Sequence, residues 1–212
     1  MQTEKGQSIE DQSMQIIENE IGSHDYNQLE WPIVRRVIHA TADFDFAKKN
    51  KIIFHKDAIS NGMTALKNGC NIIVDVNGVI GGLNKQNLKE FGNEVICNIS
   101  KPDIANEAKK YNKTRAQTSM RMAASQMNDG LVVIGNAPTA LLEVIQMIKE
   151  KIVNPALVVG IPVGFVSAPE SKEELLNLDV PFITNTGRKG GSACASAIVN
   201  ALFKLLSENS SS

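Results

Sequence analysis

Five short runs rich in β-branched and aliphatic residues recur along the chain: Asn71–Asp75 (NIIVD), Glu94–Asn98 (EVICN), Leu131–Gly135 (LVVIG), Ala156–Gly160 (ALVVG) and Pro181–Thr184 (PFIT). Three of them are almost wholly apolar, which is how strands covered on both faces of a parallel sheet read. Segments of helical length follow them or lie between them: Lys56–Lys67, Lys113–Met127, Pro138–Lys151, Lys172–Leu178 and Gly191–Leu206. Strand alternating with helix predicts an α/β fold, a single domain over residues 1–212 with an open, mainly parallel sheet flanked by helices. The N-terminal segment differs. Ser8–Ile21 and Gln28–His39 read as two helices with no strand between them. In the first, Ile9, Ile16, Ile17 and Ile21 fall near one face, and Asp25 or Asn27 is placed to cap the second. The 207–212 stretch (SENSSS) reads as a disordered, solvated tail.

Composition narrows the function classes. With 22 Lys+Arg against 23 Asp+Glu the chain lacks the basic excess of a nucleic-acid-coating surface, so no nucleic-acid partner is expected. No apolar run approaches the ~20 residues of a membrane-spanning helix, and the segment MQTEKGQSIEDQ is unlike a signal peptide, so a cytoplasmic protein with no membrane partner is expected. Cys70, Cys97 and Cys194 are odd in number and far apart, which fits a reducing compartment and core thiols.

Ligands of open α/β sheets bind beyond the carboxyl ends of the strands. Three small-residue turns occupy such places: Gly135–Ala140 with Asn136 and Thr139, Ile161–Phe165, and Gly187–Ser192 with Gly187 and Gly190. Free N–H groups and the positive end of a helix dipole suit such turns to anions, although tight packing alone also asks for glycine there. Neither G-x-G-x-x-G nor the P-loop spacing is present, and no metal-ligand cluster or G-x-S-x-G is found. His24 and His55 sit in polar, loop-like settings and read as surface residues. His39 ends an otherwise apolar helix and follows Arg36 by three residues, so a fixed cation and a titratable acid/base group share one helix face. A histidine so placed is also compatible with a purely structural role.

Taken together, six segments in order resemble the precorrin-8X methylmutase family: Arg35–Ala47 (RRVIHATADFDFA), Gly92–Cys97, Ile134–Leu141, Pro162–Val166, Glu170–Lys172 and Asn185–Ser192. They span residues ~8–205, one whole domain. The form around His39 is more similar to the cobalt-precorrin-8 enzymes than to the metal-free ones. The resemblance implies an isomerase that moves a methyl group from C-11 to C-12 of a corrinoid, giving cobyrinate or hydrogenobyrinate, with no cofactor consumed and no metal held by the protein. It implies His39 as the residue that protonates the macrocycle near ring C to promote a 1,5-sigmatropic shift. Arg36 and Arg115 match positions that contact substrate carboxylates, Ser13 a substrate-contacting serine of the first helix, and Lys85 a basic position. It further implies a homodimer with substrate near the interface, with room for transient contact with neighbouring pathway enzymes. One departure stands beside Asp75: the family commonly carries methionine where this chain has Gly78, and the glycines predict a more mobile segment. Two other readings compete: a corrinoid carrier without catalysis, which has no need of His39, and a nucleotide-dependent transferase, disfavoured by the missing phosphate loops.

Overall fold

A computed structural model describes residues 3–209. Two helices come first, α1 (Glu4–Ile21) and α2 (Glu30–Thr41), followed by a 3-10 turn at Phe44–Ala47 and strand β1 (Ile52–Phe54). Then come α3 (Ala58–Lys67), β2 (Ile72–Val74), α4 (Asn77–Gly82), α5 (Lys85–Phe91), β3 (Val95–Ile96), α6 (Ile104–Lys110) and α7 (Arg115–Met122). The chain closes with β4 (Leu131–Ile134), α8 (Pro138–Lys149), β5 (Leu157–Gly160), α9 (Ala168–Leu176), β6 (Phe182–Asn185) and α10 (Ser192–Asn209). The strands form one sheet in the order β1-β6-β5-β4-β2-β3, parallel throughout except for β1, which runs antiparallel to β6 with Ile52 opposite Asn185.

The expected α/β architecture is therefore present, and the burial pattern explains why the strands read as continuous apolar runs. Ile72, Val74, Leu131, Val133, Leu157 and Val159 face one core, with α1 to α4 and α10. Ile73, Val132, Ile134 and Val158, the alternate residues, face a second core with α7, α8 and α9. Both faces are covered, so the inner strands β2, β4 and β5 carry no polar side chain on either side.

Local chemistry sets several ends. Asn27 accepts hydrogen bonds from the Leu29 and Glu30 N–H groups in the turn that leads into α2, whose own flanking residue is Leu29 and not the expected Asp25 or Asn27. Thr114 and Gln117 form a capping box that starts α7. That helix stops at Met122, and a 3-10 turn at Ala124–Gln126 takes the place of the longer helix expected to Met127.

Three further expectations are corrected. Only Ile17 is fully buried on α1, while Ile9 and Ile16 are both 55% exposed, because α1 packs on α2 along one narrow seam. The segment carrying Gly78 is a helical turn seated on α10. A Cβ on Gly82 would fall 2.2 Å from the Ser196 Oγ, so glycine serves close helix approach there. The last helix runs through Ser207 and Glu208 to Asn209, well into the expected tail; residues 210–212 lie outside the described residues. Finally, His24 and His55 are half-buried, His24 stacked on Trp31 at 3.9 Å between ring centroids and His55 against Phe182 at 5.6 Å.

Candidate active site

The sheet order contains one switch point. From β2 the chain steps outward to β3, then returns to β4 on the other side of β2 and continues away through β5 and β6. The crevice between the carboxyl ends of β2 and β4 is where such a fold opens to a ligand. Asp75, just past β2 and 2% exposed, spans it. Its carboxylate accepts hydrogen bonds from the N–H groups of Gly135 (2.9 Å), Asn136 (2.9 Å) and Ala137 (2.7 Å) in the turn after β4. Burial pushes the Asp75 carboxyl above the ordinary carboxylate range, and the three N–H donors oppose that rise. The N–H of Asn136 is thus committed to Asp75, although its side chain is exposed.

Gly135 lets the start of α10 come close: a Cβ there would lie 2.9 Å from the Ser192 Cα. Against α10 lies α2, which brings His39 and Arg36 to the same side of the sheet. The two side chains line a cavity of about 370 Å³ whose walls include Ala40, Gly78, Gly82, Ala193, Ser196, Ala197 and Asn200. Nearly all of these are small, so a flat, bulky ligand can approach the backbone of α4 and α10 closely. An adjoining cavity of about 340 Å³ shares Arg36 and Asn200 and adds Arg35, Lys204, Asn84 and Asn87. Glu10 of α1 holds the Arg36 guanidinium through Nη1 at 2.5 Å. Arginine carries five N–H donors, so this contact leaves others for a ligand carboxylate.

The remaining expected residues are spread around the crevice. Arg115 opens α7 and donates from Nη2 to the Ile99 carbonyl at 2.8 Å, just past β3. Thr139 shares a hydroxyl contact of 3.1 Å with Thr114, so these residues stand with the helices of the opposite core from His39. Ser13 is half-buried on α1 and its hydroxyl donates to the Ile9 carbonyl at 2.9 Å. Lys85 is exposed at the start of α5. Neither Ser13 nor Lys85 lines the two cavities beside Arg36. Gly187 has φ +74, and Gly190 lies against the carbonyls of Ile161 and Pro162 so closely that a Cβ would come within 2.4 Å of the first.

Several residues of the site went unread in the sequence. Asn200 donates to the Gly82 carbonyl at 2.8 Å and accepts from the Asn84 N–H at 2.9 Å, tying the α4–α5 junction to α10. An asparagine in the apolar stretch CASAIVNALF was the available signal. Lys189 bridges Asp43 (2.7 Å) and Asp45 (2.8 Å), joining the turn after β6 to the segment just past His39. The Lys189 hydrogen bond holds the Asp45 carboxyl below its ordinary value, and the two aspartates raise the Lys189 ammonium. Among the described residues there is no cluster of three metal-ligating side chains, and no helix is long and apolar enough to cross a membrane.

A model of the precorrin-8X methylmutase family matches residues 8–205. The chain belongs to that family. It is 48% identical to the cobalt-precorrin-8 methylmutase of Leptospira interrogans over 97% of this chain and 96% of that one. It is 49% identical to the enzyme of that name from Priestia megaterium, over 94% and 88%. The solved structure of precorrin-8x methyl mutase from Thermus thermophilus superposes with a TM-score of 0.89 at 39% identity, covering 96% of this chain and 98% of that one. The methylmutase is thus an isomerase of cobalamin biosynthesis, and a corrinoid substrate follows from the family. Of the residues expected from the resemblance, His39 and Arg36 line the cavities, and Arg115 and Thr139 stand with the helices of the opposite core.

Proposed function

We propose that this methylmutase converts cobalt-precorrin-8 to cobyrinate, with His39 as the acid that starts the reaction. The observation that carries this reading is the joint position of His39 and Arg36 over a cavity floored by small residues at the open end of the sheet. The His39 imidazolium gives a proton to the macrocycle near ring C and draws electron density toward it. The bond from C-11 to the methyl carbon breaks as the bond to C-12 forms, and the proton then returns to His39. An imidazole suits this role because its ordinary pKa near 6.5 lets it give and recover a proton at neutral pH. Holding a rigid ring in one orientation supplies much of the remaining acceleration.

Substrate carboxylates are read by Arg36 and Arg115 from opposite flanks, with Ser13, Lys85, Asn136, Thr139 and the Gly187–Gly190 turn as further contacts. The relatives at 48% and 49% identity are named for the cobalt-bearing substrate, which supports that form. We infer a homodimer as well. The exposed Ile9 and Ile16 of α1, and Phe165 and Val166 at 83% and 81% exposure, offer apolar surface that a second copy would cover. Three free thiols support a reducing, cytoplasmic setting.

The test is a visible spectrum recorded anaerobically after mixing purified protein with cobalt-precorrin-8 and, separately, with precorrin-8. Conversion to the cobyrinate spectrum, faster than conversion of the metal-free compound, is expected. Bound but unchanged spectra with both would overturn the reading in favour of a carrier.

A further inference from the structure

Lys172 of α9 is 1% exposed, yet no carboxylate pairs with it among the described residues. Its ammonium donates to two carbonyls of a single turn, Gly187 at 3.0 Å and Lys189 at 2.6 Å. A buried ammonium is costly, and a methionine would fill the same space without that cost. The charge therefore calls for a reason in what it holds.

That turn follows β6 and is pinned from several directions. The Gly191 N–H donates to the Ile161 carbonyl at 3.0 Å, and the Gly164 N–H to the Arg188 carbonyl at 3.1 Å. Asn185 donates to the Thr186 and Lys189 carbonyls, both at 2.9 Å. In a trans peptide the C=O and N–H point opposite ways. Drawing the Gly187 and Lys189 carbonyls onto Lys172 therefore turns the N–H groups of Arg188 and Gly190 away from it.

We infer that Lys172 is a positioning residue for the methylmutase reaction: it fixes the peptide planes of the Gly187–Gly190 turn so that the Arg188 and Gly190 N–H groups are presented to substrate. This rests on the proposal that the turn contacts substrate. Two titratable groups lie around the ammonium. Cys194 of α10 is kept neutral, its thiol pushed up to about 12 by burial. Lys189 directs its own ammonium onto Asp43 and Asp45. Burial lowers Lys172 to about 8, so the charged grip on the turn weakens just above neutral pH.

The experiment follows the carbonyl carbon resonances of Gly187 and Lys189 in isotopically labelled full-length protein, across a pH range spanning about 8. The two resonances are expected to move together with a midpoint near 8 in wild type and to stay still in Lys172→Met. Over the same interval the wild-type KM for cobalt-precorrin-8 rises. In Lys172→Met, KM is raised about tenfold at neutral pH and is flat with pH, while kcat changes less than about twofold. Wild-type carbonyls that do not titrate near 8, or a Lys172→Met KM equal to wild type, would overturn the inference. The carbonyl titration needs neither substrate nor variant. It decides the Lys172 contact even if the proposed reaction fails or the variant does not fold.

Discussion

Among the described residues, two charged side chains enter the interior without an opposite charge beside them, Asp75 and Lys172. Asp75 is compensated by three peptide N–H groups and Lys172 by two carbonyls, so each spends its charge on shaping one turn at the strand ends. For Lys172 the consequence for stability has a definite sign. Its ammonium falls from the ordinary 10.5 to about 8 on folding. Between these values the unfolded chain holds the proton and the native one does not, so this residue's contribution to stability rises with pH. Urea unfolding of wild type and Lys172→Met from about pH 7.5 to about 10.5 is expected to show wild type gaining on the variant, by on the order of 3 kcal/mol at most. Parallel curves for the two proteins would rule out an ammonium whose pKa is lowered on folding. The same titration that relieves stability loosens the turn, so the pH trends of stability and of substrate affinity oppose each other. Lys172 stands in a segment whose match was visible in the sequence, but nothing there distinguishes a buried lysine from the solvated lysines common on a helix. Burial is a property of the assembled layers.

The helices beside the site are placed by small residues at their crossings. Where α4 meets α10, a Cβ on Gly82 would fall 2.2 Å from the Ser196 Oγ and 2.7 Å from the Ser196 Cβ. Gly82→Ala is accordingly expected to lower the unfolding free energy by about 1–3 kcal/mol, an overpacking cost measured by denaturant midpoint at unchanged m-value. A variant as stable as wild type would show that α4 is free to move off α10. The inner strands β2, β4, β5 and β6 were legible because burial on both faces leaves each a largely apolar run, and the half-buried edge strand β3 from its Val95 and Ile96. The edge strand β1 was not: it is short, only Ile52 in it is fully buried, and the surrounding charges dilute its pattern. The short helices α4, α5 and α6 also escaped notice, since six or seven residues are too few to display a helical period. In the N-terminal helix the neighbouring Ile16 and Ile17 cannot both face α2, and Ile17 is the one buried.

At the scale of the whole molecule, the order of strands explains why residues far apart in sequence meet. β2 and β4 are neighbours across the switch point, Asp75 ties their ends together, and α2 lies across α10 so that His39 reaches the same edge. The pairing of Arg36 with His39 was legible from helical spacing, and the family resemblance pointed to Arg115. The opposite flanks on which they stand were not legible, because strand order cannot be read from a single chain. Nor were Asn200 and Lys189, whose partners are more than a hundred residues away in sequence. If the crevice binds the corrinoid mainly through its flanks and His39 serves chemistry, binding and turnover separate. The decisive measurement is therefore turnover of cobalt-precorrin-8 by His39→Ala beside wild type, with corrinoid affinity measured on the same two preparations. A loss in turnover of about 10²–10⁴-fold with affinity nearly unchanged is expected. Wild-type turnover by His39→Ala would contradict the account and remove the imidazole from the reaction.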